Sequence, residues 1–201
     1  MNINEITLQA YENGLDEYNA AAIPEVTGSV KDLVDAGLDM LPVGAKILEL
    51  GSAHGRDAAY MEGRGFNVDR TDAAHSFVNF MNTQGYEARV LDALTDNYGG
   101  PYDMVYANAV LLHFTAEQIP QVLSRVYESL AEHGLFSFSV KIGEGEGWSD
   151  AKLKSPRFFS YWHEQPLKDL LVGNHFDIVF WEEGKTGHDN GDWFHIIAKK
   201  L

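Results

Sequence analysis

The residues from Lys46 to Asp72 limit the possible folds of this chain more than any other segment. An apolar β-like run, Lys46–Leu50, is followed by a glycine turn, an amphipathic stretch and a second β-like run that Asp72 ends. This order is typical of two parallel strands joined by a helix, because a parallel connection needs a dozen or more residues. The glycine permits a sharp turn, and the helix after it presents unpaired N–H groups to a polar ligand. The segment therefore predicts a binding turn at the end of a strand in a parallel sheet.

The glycine spacing in the turn separates two kinds of nucleotide site. Read from Gly51, the dinucleotide pattern G-x-G-x-x-G would place Arg56 at the third glycine, where a large side chain prevents close packing of helix and strand. An acid followed by glycines at alternate positions fits better, since Glu49, Gly51 and Gly55 match and only Ala53 replaces a glycine. This spacing disfavours a nicotinamide dinucleotide site.

Two carboxylates in the second run can be compared as ligands of a ribose. Asp72 ends the run, 21 residues after Gly51, where a carboxylate can accept hydrogen bonds from both hydroxyls of an adenosine ribose. Asp69 lies inside the run. We therefore expect Asp72, and not Asp69, to bind the ribose.

Residues 47–74, ILELGSAHGRDAAYMEGRGFNVDRTDAA, resemble the cofactor-binding region of class I S-adenosylmethionine-dependent methyltransferases of the small-molecule type. The resemblance continues in residues 92–94 after a third strand, in residues 102–113 at a fourth strand and its exit, and in residues 123–138. It covers about residues 40–201. Several motifs in the right order are more specific than any one of them.

The resemblance implies an S-adenosylmethionine site with one role for each matched segment. The turn residues would surround the methionine part, Arg56 would meet its carboxylate, and Asp72 would hold the ribose. Asp92, with Ala93 and Leu94 after it, would lie along the edge of the adenine. Asn108 and Ala109 would lie close to the sulfonium. The predicted cofactor residues are Glu49, Gly51, Ser52, Ala53, Gly55, Arg56, Asp72, Ala73, Asp92, Ala93, Leu94, Asn108 and Ala109. The alternatives are that Asp92 only starts a turn and that Arg56 is a solvated helix residue.

Substrate residues are expected after the fourth strand and in a glycine-rich stretch. His113 is the candidate general base, because it lies where the methyl group would point and imidazole titrates near neutral pH; a structural histidine bonded to loop backbone is the alternative. Residues 141–163 are expected to form a substrate-side loop, in which Arg157, Tyr161 and Trp162 line the pocket or simply pack. Residues 1–40 are helical in pattern and are expected to form a lid.

Short β-like runs and helical patterns alternate along most of the chain, which is typical of an α/β domain. The seven predicted strands are Lys46–Leu50, Phe66–Thr71, Glu87–Leu91, Tyr102–Ala107, Leu135–Val140, Phe176–Trp181 and Trp193–Ala198. Two helices are expected from Pro120 to Gly134 and from Pro166 to Gly173, and the last two strands should pair as a hairpin across residues 182–192. The prediction is one domain, residues 1–201, with a Rossmann-like, seven-stranded, mostly parallel sheet, a terminal antiparallel hairpin strand and helices on both faces.

Charge and composition narrow the expected partners. The chain has 30 acidic and 15 basic residues, and its formal net charge of −15 opposes nucleic-acid binding, although a local basic patch assembled by the fold is left open. No run is apolar enough for a membrane helix and the first residues do not read as a secretion signal, so we expect a cytoplasmic protein without a membrane partner. The chain has no cysteine, and His188, Asp189 and Asp192 read as hairpin-loop residues, so no metal is expected. The oligomeric state is not predicted.

The resemblance implies methyl transfer from S-adenosylmethionine to an oxygen, nitrogen or sulfur nucleophile of a small molecule by in-line displacement. A sulfonium methyl group is already activated, so the protein mainly has to align the nucleophile and exclude water. Enzymes that methylate the exocyclic amino groups of bases have an Asn or Asp followed by two prolines and an aromatic residue. Asn108 is not followed by this pattern, so methylation of that kind is disfavoured. The alternative function is a sensor or partner protein that binds S-adenosylmethionine or S-adenosylhomocysteine without catalysis, because its binding motifs would be the same.

Overall fold

The computed structural model describes residues 1–185 and 192–201. The strands in these ranges are β1 Lys46–Leu50, β2 Asn67–Asp72, β3 Ala88–Val90, β4 Tyr102–Ala107, β5 Leu130–Ile142, β6 Glu146–Ser149, β7 Arg157–Trp162, β8 Phe176–Lys185 and β9 Asp192–Lys200. The helices are α1 Ile3–Asn13, α2 Leu15–Ala21, α3 Gly28–Asp39, α4 Arg56–Gly63, α5 His75–Thr83, α6 Ile119–Ser129 and α7 Glu164–Gly173, with a 3₁₀ turn at Leu111–His113. None of these helices is both long and apolar enough to cross a membrane.

The central sheet is parallel in the order β3-β2-β1-β4-β5. Beyond β5 lies β9, which runs antiparallel to it and pairs on its other edge with β8. The chain passes from β1 to β2 on one side and later returns to β4 on the other side of β1. In such sheets, ligands bind in the crevice outside the carboxyl ends of the strands, at the point where the strand order reverses. The topology therefore places the crevice above β1 and β4.

Successive residues of β1 and β4 point to opposite faces of the sheet and enter two separate cores. The core on one face includes Leu33 and Val34 of α3 together with Ile47 and Met104. The core on the other face includes Val122 and Val126 of α6 together with Leu48 and Val105. Because four of the five β1 residues are buried, β1 lacks the alternation of a strand with one exposed face. The predicted α/β class, with helices on both faces and a terminal antiparallel pair, is confirmed.

Residues 141–163, where we expected a loop, contain two further strands. β6 pairs antiparallel with β7, and β7 pairs in parallel with Lys141 and Ile142 at the end of β5. Five of the six β7 residues are buried, so the sequence Arg157–Trp162 shows no alternation of apolar and polar residues that would have indicated a strand. The expectation of an irregular loop was wrong. A role for this segment on the substrate side stays a prediction.

Helix α6 ends at Ser129 and not at Gly134, so that predicted boundary was also wrong. Leu130 is already extended, with φ −80° and ψ 141°, and begins β5. The Lys200 ammonium donates hydrogen bonds to the carbonyl oxygens of Tyr127 and Leu130, at 2.6 and 2.8 Å. We expected a glycine cap to satisfy the carbonyl groups at the end of this helix. A lysine from the last strand donates hydrogen bonds to them instead.

Candidate active site

The turn between β1 and α4 is held in a conformation that requires a small residue at its first position. Gly51 has φ 69°, and a Cβ atom there would lie 2.6 Å from the Cγ2 atom of Val110. Ala53 and Gly55 also have left-handed φ angles, of 49° and 82°. The Ser52 N–H donates to the Thr71 carbonyl at 2.8 Å, which ties the turn to β2. The backbone therefore bends sharply beside β4 and enters α4 at Arg56.

Asp72, at the end of β2, fixes this turn from the side. Its carboxylate accepts hydrogen bonds from the Ala53 N–H and the Ala74 N–H, both at 2.9 Å. Burial raises the pKa of Asp72 to about 6, although both N–H groups act in the opposite direction. The rival carboxylate, Asp69, forms an ion pair with Arg89 at 2.9 Å. Asp72 lines the cavity described below, whereas Asp69 is absent from its wall.

A buried acidic pair lies at the base of the turn. Glu49 is 2% exposed, and its Oε2 atom has no hydrogen-bond partner among the described residues. Burial and the neighbouring Asp57 carboxylate raise the pKa of Glu49. Asp57 accepts hydrogen bonds from the Arg56 Nε–H at 2.6 Å and from the Tyr106 hydroxyl and the Asn108 amide, both at 3.0 Å. A cationic group of a ligand held beside Glu49 would favour the ionised form of this carboxyl group.

The exit of β4 is held by a serine of β5. Ser139 Oγ donates to the Asn108 amide oxygen at 2.7 Å and accepts a hydrogen bond from the Ala109 N–H at 2.9 Å. Ala109 has φ 57°, a conformation that is uncommon for a residue with a side chain. The chain therefore turns sharply directly after β4, opposite Gly51.

One cavity of about 1210 Å³ opens over the carboxyl ends of β1, β2 and β4. Twelve of the thirteen predicted cofactor residues line it: Glu49, Gly51, Ser52, Ala53, Arg56, Asp72, Ala73, Asp92, Ala93, Leu94, Asn108 and Ala109. Gly55 does not line the cavity; it precedes α4 as its N-cap. At the other end, the Asp92 carboxylate accepts the Leu94 N–H at 2.8 Å, so Asp92 does shape a turn while it lines the cavity. The structure brings the predicted set together, and the role of each residue toward a ligand stays a prediction.

The four predicted substrate-side residues separate into two groups. His113 and Arg157 line the cavity, and Tyr161 and Trp162 do not. The Trp162 ring is buried in the core with Leu167. Tyr161 packs instead against the small apolar cluster that contains Phe159. Side chains alternate along β7, so Arg157, Phe159 and Tyr161 share one face, of which Arg157 and Phe159 line the cavity.

His113 lies on the 3₁₀ turn after β4, with both ring nitrogens engaged. Nδ1 lies 2.7 Å from the Phe158 carbonyl oxygen, which can only accept, so Nδ1 carries the proton and donates. Nε2 lies 2.8 Å from the Tyr11 hydroxyl and therefore accepts from it. Burial and the positive charge of Arg157 lower the pKa of His113 to about 4, even though the Phe158 carbonyl acts in the opposite direction. The imidazole is thus neutral near pH 7.

Helix α1 is attached to the cavity by hydrogen bonds that local sequence patterns do not reveal. The Glu12 carboxylate accepts the N–H groups of His75 and Ser76, at 2.6 and 2.9 Å, at the N-terminus of α5. The Phe158 N–H on β7 donates to the Thr7 hydroxyl at 3.0 Å. A carboxylate at a helix N-terminus is favourable because of the exposed N–H groups there. These contacts hold α1 against both α5 and the hairpin of β6 and β7.

Further wall residues, which the sequence analysis did not identify individually, come from α1, α2 and α5, from the hairpin of β6 and β7, and from β9. These residues are Tyr11, Tyr18, Phe77, Lys152, Phe159 and Trp193. The helical pattern of residues 1–40 was the available signal, but a pattern does not identify which side chain contacts a site 102 residues away, as Tyr11 contacts His113. Helix α3 does not belong to this wall as a whole, because its apolar side packs on the sheet. That α1 and α2 act as a lid stays a prediction.

Among residues 1–185 and 192–201, no three histidine, cysteine, aspartate or glutamate residues cluster as a metal site would require. Of the loop residues we considered for a metal, His188 and Asp189 lie outside the described residues. The absence of a required metal therefore stays a prediction.

Comparison with known proteins identifies the family. A family model described as a methyltransferase domain matches residues 21–179, and no curated protein matches significantly. The chain is similar to 1,6-didemethyltoxoflavin N1-methyltransferase of Burkholderia thailandensis, solved with bound S-adenosylhomocysteine, at 20% identity and a TM-score of 0.75 over 98% of this chain and 87% of that chain. It is also similar to magnesium protoporphyrin IX methyltransferase of Synechocystis, also solved with bound S-adenosylhomocysteine, at 16% identity and a TM-score of 0.75 over 98% and 99%. A methyltransferase of Methanosarcina mazei gives 17% identity and a TM-score of 0.73 over 82% and 96%.

At these identities, the solved structures establish a shared fold, while the family match, which spans most of the chain, establishes membership. The family match agrees with the geometry, since the glycine turn and Asp72 meet at the strand ends in one cavity. The chain therefore belongs to the methyltransferase-domain family, with the Rossmann-like fold of class I S-adenosylmethionine-dependent methyltransferases and S-adenosylmethionine as its cofactor.

Proposed function

We propose that this chain transfers the methyl group of S-adenosylmethionine to an oxygen, nitrogen or sulfur nucleophile of a small molecule. The supporting observation is that one cavity is lined both by the predicted cofactor residues and by His113 and Arg157. Its volume of about 1210 Å³ exceeds the roughly 300–1,000 Å³ of a typical pocket for one ligand. The cavity therefore has room for the cofactor and a small acceptor together.

The residues present fit the charged groups of the cofactor. Glu49 has an unpartnered side-chain oxygen, and the ammonium of the methionine part would stabilise its ionised form. Each Asp72 oxygen accepts one backbone N–H and retains further acceptor capacity for a ribose hydroxyl. Arg56 uses Nε toward Asp57 and one terminal nitrogen toward the Ile23 carbonyl oxygen, so other N–H donors remain for the methionine carboxylate.

The chemistry supplied by bound S-adenosylmethionine is a methyl group already activated by the positive sulfur. The tasks left to the chain are to orient the acceptor and to exclude water. We assign the exclusion of water to α1 and α2, whose side chains Tyr11 and Tyr18 line the cavity. The hairpin of β6 and β7 would form the acceptor side through Arg157 and Phe159.

A proton released by the acceptor would reach His113 through Tyr11. The Tyr11 oxygen would accept the acceptor's proton while the Tyr11 proton moves to His113 Nε2, along the hydrogen bond of 2.8 Å that already exists. With a pKa of about 4, His113 is a weak base. An acceptor that is already ionised or that carries a free electron pair would need this step least.

Two measurements test the proposal in turn. Calorimetric titration with S-adenosylmethionine, S-adenosylhomocysteine and NAD should show binding of the first two compounds only; binding of NAD alone would reject the cofactor assignment. Formation of S-adenosylhomocysteine during incubation with pools of small-molecule acceptors then tests catalysis. Cofactor binding without turnover on any pool would instead support a non-catalytic binding protein.

A further inference from the structure

We propose that the methyl acceptor is a small organic anion, with a carboxylate or phosphate that binds to the Arg157 guanidinium. This inference rests on the proposed function, because it concerns the acceptor half of the same cavity. Arg157 carries a buried positive charge without an acidic partner among the described residues, and a second cation, Lys152, lines the same cavity.

Arg157 is buried without the charge partner that buried arginines normally have. It is 5% exposed, and its guanidinium forms no ion pair with any residue in the described ranges. One terminal nitrogen donates to the Tyr11 hydroxyl at 3.2 Å, whereas Nε has no hydrogen-bond partner among the described residues. A buried charge is costly unless it is paired and hydrogen-bonded. The side chain is therefore incompletely satisfied in the protein without ligand.

Arg70, which does not line the cavity, has the carboxylate partner that Arg157 lacks, although its Nε also has no hydrogen-bond partner among the described residues. Arg70 is 3% exposed, and two of its nitrogens donate to the Glu62 carboxylate at 2.5 and 2.7 Å. Its guanidinium also stacks over the Tyr86 ring at 4.1 Å from the centroid. Arg56 likewise has Asp57. Of these three arginines, Arg157 alone lines the cavity without a carboxylate partner among the described residues.

The position of Arg157 assigns it to the acceptor and not to the cofactor. Its guanidinium carbon lies 5.5 Å from the centre of the Tyr11 ring and 5.1 Å from that of Phe159. The His113 ring packs edge-on against both of these rings, at centroid distances of 5.3 and 5.0 Å. Arg157 therefore belongs to the group of side chains around His113. The cofactor carboxylate already has Arg56, at the start of α4.

Lys152 adds a second positive charge to the wall of the same cavity. It lines the cavity wall, and its ammonium lies 3.7 Å from the centre of the Tyr18 ring. Partial burial and the positive charges of Arg157 and Arg56 lower the pKa of Lys152 to about 8. Mutual repulsion between these cations means that a bound anion would stabilise all of them. The predicted acidic cofactor residues, Glu49 and Asp72, lie at the ends of β1 and β2.

The rest of the wall favours an anion with an apolar body. The rings of Phe77, Phe159 and Trp193 line the same cavity. The net charge of −15 repels long polyanions from the surface, whereas a small anion bound at Arg157 would meet a local cation.

The test measures binding of simple probes to the full chain saturated with S-adenosylhomocysteine. The probes are benzoate, phenyl phosphate and the neutral benzamide, titrated by calorimetry. We expect at least one anion to bind about tenfold or more tightly than benzamide, as a charge-assisted contact to arginine predicts. The comparison of benzoate with phenyl phosphate then identifies the anionic group.

Variants connect this preference to Arg157. R157Q should remove the preference for the anions, R157K should retain part of it, and both should bind S-adenosylhomocysteine as the parent does. R64Q removes an exposed arginine that does not line the cavity and serves as the charge-matched control. If R157Q does not fold, the comparison of R157K with the parent decides.

The outcomes separate this inference from the proposed function. Failure to bind S-adenosylhomocysteine would reject the proposed function itself. With S-adenosylhomocysteine bound, equal affinity for benzamide and both anions, or an anion preference that neither R157Q nor R157K changes, would overturn the anionic acceptor alone.

Discussion

Asp72 offers a direct test of the cofactor site, because a second carboxylate on the same strand provides a matched control. The change is Asp72→Asn, which removes the charge and keeps the shape. Hydrogen bonds to a charged group contribute about 1.5–3 kcal/mol, so the Kd for S-adenosylmethionine should rise by about ten- to a hundredfold at pH 8. The control is Asp69→Asn, which breaks an ion pair whose side chains are 35–41% exposed and should cost less than about 1 kcal/mol of folding stability.

The affinity for S-adenosylmethionine should also depend on pH through the ionisation of Asp72. With a pKa of about 6, Asp72 is about one-tenth ionised at pH 5, so its contribution to binding should weaken about tenfold between pH 7 and pH 5. Asp72→Asn should lack this component. Glu49 also titrates in both proteins, so the difference between the two slopes, and not the parent slope alone, isolates Asp72.

Folding stability should respond to pH in the opposite direction. A carboxyl group whose pKa is raised on folding binds its proton more tightly in the folded state. Its contribution to the free energy of unfolding is therefore complete below the usual pKa near 3.8 and is lost as the pH rises through about 6. A fall in cofactor affinity at low pH consequently cannot be attributed to unfolding caused by Asp72.

The assay is calorimetric titration of the parent and both variants from pH 5 to 8, with urea unfolding of each protein. Asp72→Asn will itself lose some stability, because its amide N–H₂ must face a backbone N–H. The reasoning is refuted if Asp72→Asn binds the cofactor as the parent does, or if Asp69→Asn weakens binding equally.

Three further predictions concern the neighbouring residues. Gly51→Ala should lower the free energy of unfolding by about 1–3 kcal/mol in urea titrations. Adding Val110→Ala should restore the part of this loss that is due to the 2.6 Å contact, but not the part that is due to the positive φ of residue 51. Parent-like stability of the single variant would contradict this reasoning. His113→Asn should lower kcat by about tenfold, below the 10²–10⁴ of a well-matched base, with an unchanged Kd for S-adenosylhomocysteine; full turnover would eliminate the base role. Glu49→Gln should weaken S-adenosylmethionine binding while leaving the stability of the ligand-free protein at pH 8 equal or higher, because the raised pKa means that ionised Glu49 is unfavourable there; parent-like affinity would remove Glu49 from the cofactor site.

The parts of the fold that were predictable carry their information locally. Glycines bound β1 and the turn after it, and Asp72 ends β2. The order of these residues was therefore enough to propose both the crevice and the residue that binds the ribose. β7 was missed because burial on both faces removes its periodicity. The end of α6 was placed too late because its cap comes from Lys200, 71 residues after Ser129.

The acceptor side was the least predictable part of the site, because its contacts join residues that are far apart in the sequence. Arg157 was proposed as one member of an aromatic cluster, but the sequence could not indicate that Tyr161 and Trp162 do not line the cavity. The contact of Arg157 with Tyr11 spans 146 residues. Such contacts depend on how α1 and the hairpin pack, which no local pattern of either segment specifies.

The attachment of that hairpin has a consequence for how such a chain can diversify. β7 joins the central sheet through only two residue pairs, Lys141 with Tyr161 and Ile142 with Trp162. Insertions between Ile142 and Tyr161 would lengthen this hairpin without breaking the five parallel strands that carry the glycine turn. Surface connections tolerate added length at low cost. If the proposed function holds, new acceptor preferences can be acquired by exchanging this module while the cofactor half is inherited unchanged.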